Sequence, residues 1–128
     1  MQPLKKTTFF NTVPPNDHLN LLKDEDPKKI ADFLSFTKED VAKATRLPIS
    51  SIRYDERIPA ELIDRLKEIA VIYELVAEYF KGDAKKTILW FKIKNPALGN
   101  ISPRDMIRFG RYEKLLKYIQ NALAGNNP

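Results

Sequence analysis

The 128-residue chain has no cysteine, a single histidine, a single tryptophan and only four glycines. Without cysteine there is no disulfide frame, no Cys-ligated zinc or iron–sulfur site and no thiol nucleophile, a usage that fits a reducing cytoplasm. The one histidine, His18, lies in a proline-bearing N-terminal stretch. That excludes a Ser/His/Asp or Cys/His arrangement and a histidine-rich metal site. There is no P-loop, no Gly-rich dinucleotide fingerprint and no HExxH. No stretch reaches the roughly 20 apolar residues of a membrane span, and the basic start from Met1 to Lys6 is not followed by an apolar signal segment. No membrane partner is expected.

The carboxylates do cluster, at Asp24-Glu25-Asp26 and Asp55-Glu56. Sequence neighbours do not converge on one point, and acids at helix starts serve the helix dipole. These absences together point to a binding protein rather than an enzyme, with no metal, no cofactor and no small-molecule substrate. Its length suits one compact domain, or two small helical modules sharing a core.

The formal charge is +5 and the pI about 9.4, which permits an acidic partner such as nucleic acid. The charge is unevenly spread. Residues 1–36 sum to 0, 37–58 to +1, 59–82 to −2 and 83–128 to +6. The basic excess therefore lies in the last third.

Residues 1–25 hold three prolines and no sustained period, and read as an extended or partly disordered arm in which Phe9, Phe10 and Leu19 to Leu22 could dock onto a neighbour. Beyond it, prolines and glycines punctuate a run of helices, so the fold class is all-α. Pro27, Pro59 and Pro103 suit first helical positions, and Gly82, Gly110 and Gly125 suit left-handed C-caps. The spacing predicts helices over about Pro27–Ser35, Thr37–Arg46, Ser50–Tyr54, Pro59–Lys81, Ala84–Ile93, Pro103–Phe109 and Tyr112–Ala124. The long fourth helix carries Leu62, Leu66, Ile69, Tyr73, Val76 and Phe80 at helical spacing and is the expected core. Thr37 and Asp40 form a capping-box pair, and Asn95 to Asn100 reads as an irregular turn. The organisation expected is an arm over 1–25, a helix-turn-helix-like module with the long core helix over 26–82, and a helical binding module over 83–128.

Thr37 to Tyr54 has the layout of a helix-turn-helix. In that reading Ser50, Ser51 and Arg53 face bases, with Lys43, Arg46 and Arg57 near phosphates. Asp55, Glu56 and Pro59 argue against it, and a hairpin that merely packs on the long helix fits the residues equally. In the last third, lysines and arginines alternate with Trp90, Phe91, Phe109, Tyr112 and Tyr118. Such interleaving suits single-stranded nucleic acid or an acidic protein surface, or simply keeps a helix face wet. Trp90 and Phe91 are adjacent, so one of them must meet another segment or chain.

From Arg57 onward the chain resembles the Xre/MbcA/ParS-type antitoxins, above all their toxin-binding C-terminal domain. The carrying segments are AKKTILWF (Ala84 to Phe91), NPALGN (Asn95 to Asn100) and SPRDMIRFG (Ser102 to Gly110). Trp90, Asn95, Pro96, Leu98, Gly99, Pro103 and Gly110 follow the family pattern in order and spacing, whereas Asn100 stands where many relatives have a second glycine. The resemblance implies a cytoplasmic homodimer that neutralises a RES-type, NAD-consuming toxin by covering its active site. It also implies a capacity to bind operator DNA of its own operon. On this reading Asn95, Asn100, Arg104, Met106, Arg108 and Arg111 contact the toxin, while Trp90, Pro96, Leu98, Gly99, Pro103 and Gly110 hold the contact face in shape. The rival expectation is a stand-alone helix-turn-helix DNA-binding regulator with no toxin partner.

Overall fold

The computed structural model describes residues 13–55 and 57–125. In chain order the helices are α1 (Pro27–Leu34), α2 (Lys38–Thr45), α3 (Ala60–Tyr79), α4 (Ala84–Lys92), α5 (Pro103–Arg108) and α6 (Tyr112–Leu123), with three-residue 3-10 turns at Ile49–Ser51 and Pro96–Leu98. The described residues contain no strand, only an isolated antiparallel bridge between Asn95 and Ile101. No described helix is long and apolar enough to cross a membrane.

Local chemistry explains the helix boundaries. Asp26 accepts from the N–H groups of Lys28 and Lys29 at the start of α1, where Pro27 needs no partner. Thr37 and Asp40 form the reciprocal capping box of α2, Asp83 caps α4, and Ser102 accepts from the Asp105 N–H ahead of Pro103 at the start of α5. The C-terminal carbonyls of α1 are met from afar. The Arg104 guanidinium donates to the Leu34 and Ser35 oxygens at 2.8 and 3.2 Å and lies 4.9 Å from the Phe36 ring centroid.

Every residue of α3 from Glu68 to Ala77 is buried, so its middle is enclosed on all sides rather than along one stripe. One continuous core joins Leu21, Ile30 and Leu34 through Leu66, Ile69 and Tyr73 to Phe91, Ile107, Leu115 and Ile119. The Phe91 ring stacks on Tyr73 with centroids 3.6 Å apart, and Phe33 meets Tyr73 edge-on. Residues 26–82 and 83–128 therefore complete one another's core.

Enclosing α3 means enclosing two of its carboxyl groups. Glu68 accepts a hydrogen bond from the buried Tyr112 hydroxyl, and burial pushes the Glu68 carboxyl above its usual range. Glu74 accepts the Leu19 N–H at 3.0 and 3.1 Å and the Leu21 N–H at 3.2 Å. Burial, and then a hydrogen bond with Asp17, push Glu74 up to about 7. Asp17 is partly buried, which opposes its ionisation. Bonds from Glu74 and from the N–H groups of Leu22, Lys23 and Leu21 nevertheless hold it below the usual value. Between them the two carboxyls hold one proton more tightly than either would alone, with Glu74 the group pushed upward. One turn further on, Asn16 and His18 reach Glu78 at 3.1 and 2.8 Å.

One expectation is sharpened and another changes. Residues 13–25, expected as part of an extended or partly disordered arm whose Leu19 to Leu22 could dock onto a neighbour, form a strap along α3: the Leu19 and Leu21 N–H groups donate to Glu74, and Leu21 enters the core. Periodicity could not locate the docking site because the strap has none. The rest of the arm, Phe9 and Phe10 included, lies outside the described residues. The helix expected over Ser50–Tyr54 is instead the 3-10 turn Ile49–Ser51, followed by Ile52 at φ −91 and ψ 88. Ile52 is fully buried, and anchoring it pulls the backbone straight after a segment too short to pay for helix nucleation.

The α5–α6 turn rests against α2 at Gly110, which has φ +83 and no room for a side chain. A Cβ there would stand 2.9 Å from the Lys43 carbonyl oxygen. Gly110→Ala is expected to destabilise the fold by about 2 kcal/mol or more, read as a lowered urea midpoint, since left-handed strain and a backbone clash add. An unchanged midpoint would refute the close approach.

Glu74 also predicts a pH dependence. A carboxyl raised from 4.5 to about 7 contributes stability that is complete below pH 4.5 and is lost as pH rises through about 7. Melting temperature should therefore fall between about pH 5 and about pH 8. In Glu74→Gln the amide can donate to Asp17 as the protonated acid does, so the fall should flatten; identical slopes in the two proteins would count against the shared proton.

Candidate functional site

Because Gly110 presses on the Lys43 carbonyl, the last turn of α2 and the α5–α6 turn form one corner of the molecule. Its centre is Phe109, 43% exposed despite its size. The Arg108 guanidinium lies 4.8 Å and the Lys43 ammonium 5.7 Å from the Phe109 ring centroid. Arg46, in left-handed conformation at the C-cap of α2, packs its stem near Gly110, and the exposed Arg111 follows directly in the chain. Lys43 and Arg108 therefore flank the Phe109 ring, with Arg46 packed at Gly110 and Arg111 next in the chain beside them.

Acids moderate this charge without cancelling it. Arg108 bonds Asp105 at 3.2 Å and stands 3.8 Å from Asp40, while Arg46 stands 3.5 Å from Glu113. Pairs this exposed are worth little to stability. They hold the guanidinium groups in place while leaving donors free to turn to a better acceptor.

The structure thus brings together residues expected to serve separate purposes. Lys43 and Arg46 were candidates for phosphate contacts, Arg108 and Arg111 for toxin contacts. Ser50, Ser51, Arg53 and Arg57 do not join them as a reading helix: Ser50 and Ser51 lie on the 3-10 turn, and Arg53 and Arg57 are exposed in the irregular chain beyond it.

Among the other expected contact residues, Met106 is a core residue, 4% exposed, and cannot be a surface anchor. On α5 it is Arg108 and Phe109 that reach the surface, because a short amphipathic helix must turn Met106 and Ile107 inward. Arg104 is half-buried and committed to the carbonyls of α1. Asn95 accepts from the Ala97 N–H at 2.9 Å and its backbone N–H donates to Ile101, closing the NPALGN turn; Asn100 is exposed at φ 66.

The residues expected to shape the face are spread over α4, the NPALGN turn, the start of α5 and the turn after it. Pro96 opens the second 3-10 turn, Leu98 packs against the core, and Gly99 takes the left-handed cap. Pro103 opens α5 and Gly110 makes the close approach already described. Phe91 is the ring that points into the core, while half-buried Trp90 meets it edge-on at 5.0 Å.

Sequence reasoning missed Phe109 as the centre of the site, because the Lys43 that joins it is 66 residues away. It also missed Leu89 and Ile93, which stand outward at 56% and 54% exposure. Their four-residue spacing between lysines was the available signal. Among the described residues, no group of three His, Cys, Asp or Glu side chains could hold a metal ion. No protein-family model, curated protein or solved structure matches this chain.

Proposed function

We propose that the protein is an antitoxin, a binding protein with no catalytic role of its own, which neutralises a RES-type, NAD-consuming toxin by covering its active site. The observation that carries this reading is the corner at Phe109, where an exposed ring is flanked by cations from two elements. Arginine and aromatic side chains on a rigid base are what interface anchors are made of, and guanidinium groups pair with carboxylates through two parallel hydrogen bonds. Support also comes from the AKKTILWF, NPALGN and SPRDMIRFG segments, which resemble the toxin-binding domain and together form a braced α4–turn–α5 unit. Docking of a recognition helix into DNA finds less support, since residues 50–54 hold a single 3-10 turn.

Deleting residues 83–128 is a poor test, because it would strip Phe91, Ile107, Tyr112 and Leu115 from the core. Surface substitutions are cleaner. With the full chain co-expressed beside a RES-type toxin, Phe109→Glu with Arg111→Glu should weaken the complex at least about tenfold and release NAD depletion, at an unchanged melting temperature. Full protection of NAD by the substituted protein would refute the proposal.

A further inference from the structure

A second surface lies on α4, away from the residues assigned to the corner. Two grooves flank this helix. On one side Ile88 and Lys92 face Phe33, Tyr73 and Arg104 across a groove of about 540 Å³. On the other, Trp90 faces Tyr79, Phe80, Tyr118 and Leu123 across a groove of about 220 Å³. Between them α4 forms a ridge, whose crest carries Leu89 and Ile93, 56% and 54% exposed and four residues apart.

The charge around this crest is mainly positive, with Asp83 at the start of α4 and Asp105 in the larger groove as the bordering acids. Lys85, Lys86, Lys92 and Lys94 are all exposed, and residues 84–94 contain no acid. None of the four lysines forms an ion pair among the described residues. Lys28, Lys29 and Lys67 on α1 and α3, by contrast, stand beside Asp32, Asp24 and Glu25. An aliphatic crest inside an unpaired basic rim is complementary to a surface with carboxylates around an apolar seat.

The geometry points to α4 as a docking ridge for an acidic protein surface, with side chains of that partner entering the two flanking grooves. The inference rests on the antitoxin reading and assigns the acidic partner as the toxin itself, held at α4 as well as at the Phe109 corner. Other anionic partners fit less well. The exposed Tyr79 and half-buried Trp90 lie in the smaller groove, so the crest of Leu89 and Ile93 itself offers no ring on which a base could stack, and two aliphatic side chains on a nine-residue helix give too little apolar area to hold a bilayer. A protein interface instead wants an apolar centre with charges at its edge, where lysines steer the encounter.

Two variants of the full-length chain separate these possibilities. Leu89→Asp with Ile93→Asp removes the crest, and Lys85→Glu with Lys86→Glu reverses part of the rim; circular dichroism and melting curves check that both still fold. Each should weaken binding to the RES-type toxin at least about tenfold by calorimetry, and in stopped-flow measurements the rim variant should associate more slowly and with a shallower salt dependence. Toxin binding that is weakened by the Phe109 and Arg111 substitutions but unaffected by both α4 variants overturns this inference alone. Failure of the intact chain to bind the toxin overturns the antitoxin reading and this inference with it. Binding of the intact chain to single-stranded DNA, duplex DNA or vesicles of anionic lipid, lost in the rim variant while toxin binding persists, also overturns it.

Discussion

The structure depends on the enclosure of α3. A helix buried on every side from Glu68 to Ala77 needs partners all around it, and the strap of residues 13–25 joins the five shorter helices in supplying them. Burial of so much apolar surface supplies the driving force, and it draws two carboxyl groups inside with it. Each then requires a donor. Tyr112 supplies one and the strap backbone the other, so the most buried helix dictates where both ends of the described chain must lie.

That constraint explains why the exposed features of the surface are held firmly. Phe91 and Tyr73 stack in the core, which fixes α4, and with α4 fixed its opposite face must carry Leu89 and Ile93 outward. Met106 and Ile107 anchor α5 in the same way and leave Phe109 exposed. Gly110 lets the following turn approach α2 closely enough for Lys43 to lie near that ring.

Arg104 shows how one residue can serve fold and surface together. Its guanidinium closes the end of α1 seventy residues away while its stem lines the larger groove beside α4. A partner seated in that groove would meet a cation already held in place. The two basic surfaces, the Phe109 corner and the α4 ridge, both belong to the segment with the +6 charge or to α2 beside it. Six cations of the last third belong to these two arrangements, Arg104 caps α1, and Lys114 and Lys117 lie exposed on α6 outside both.

The sequence by itself determined the all-helical class, most helix boundaries and the NPALGN turn, because caps, prolines and apolar spacing act through contacts within a few residues. It also marked the C-terminal segments on which the proposed function leans. Only the tertiary structure decided that residues 13–25 are clasped by Glu74, that Ile52 is drawn out of a helix, that Met106 is core and Arg104 a distant cap, and that Lys43 joins Phe109. Each of these outcomes rests on a partner far away in the chain. Local spacing carries no information about which distant carbonyl, ring or carboxylate will be adjacent once α3 has been surrounded.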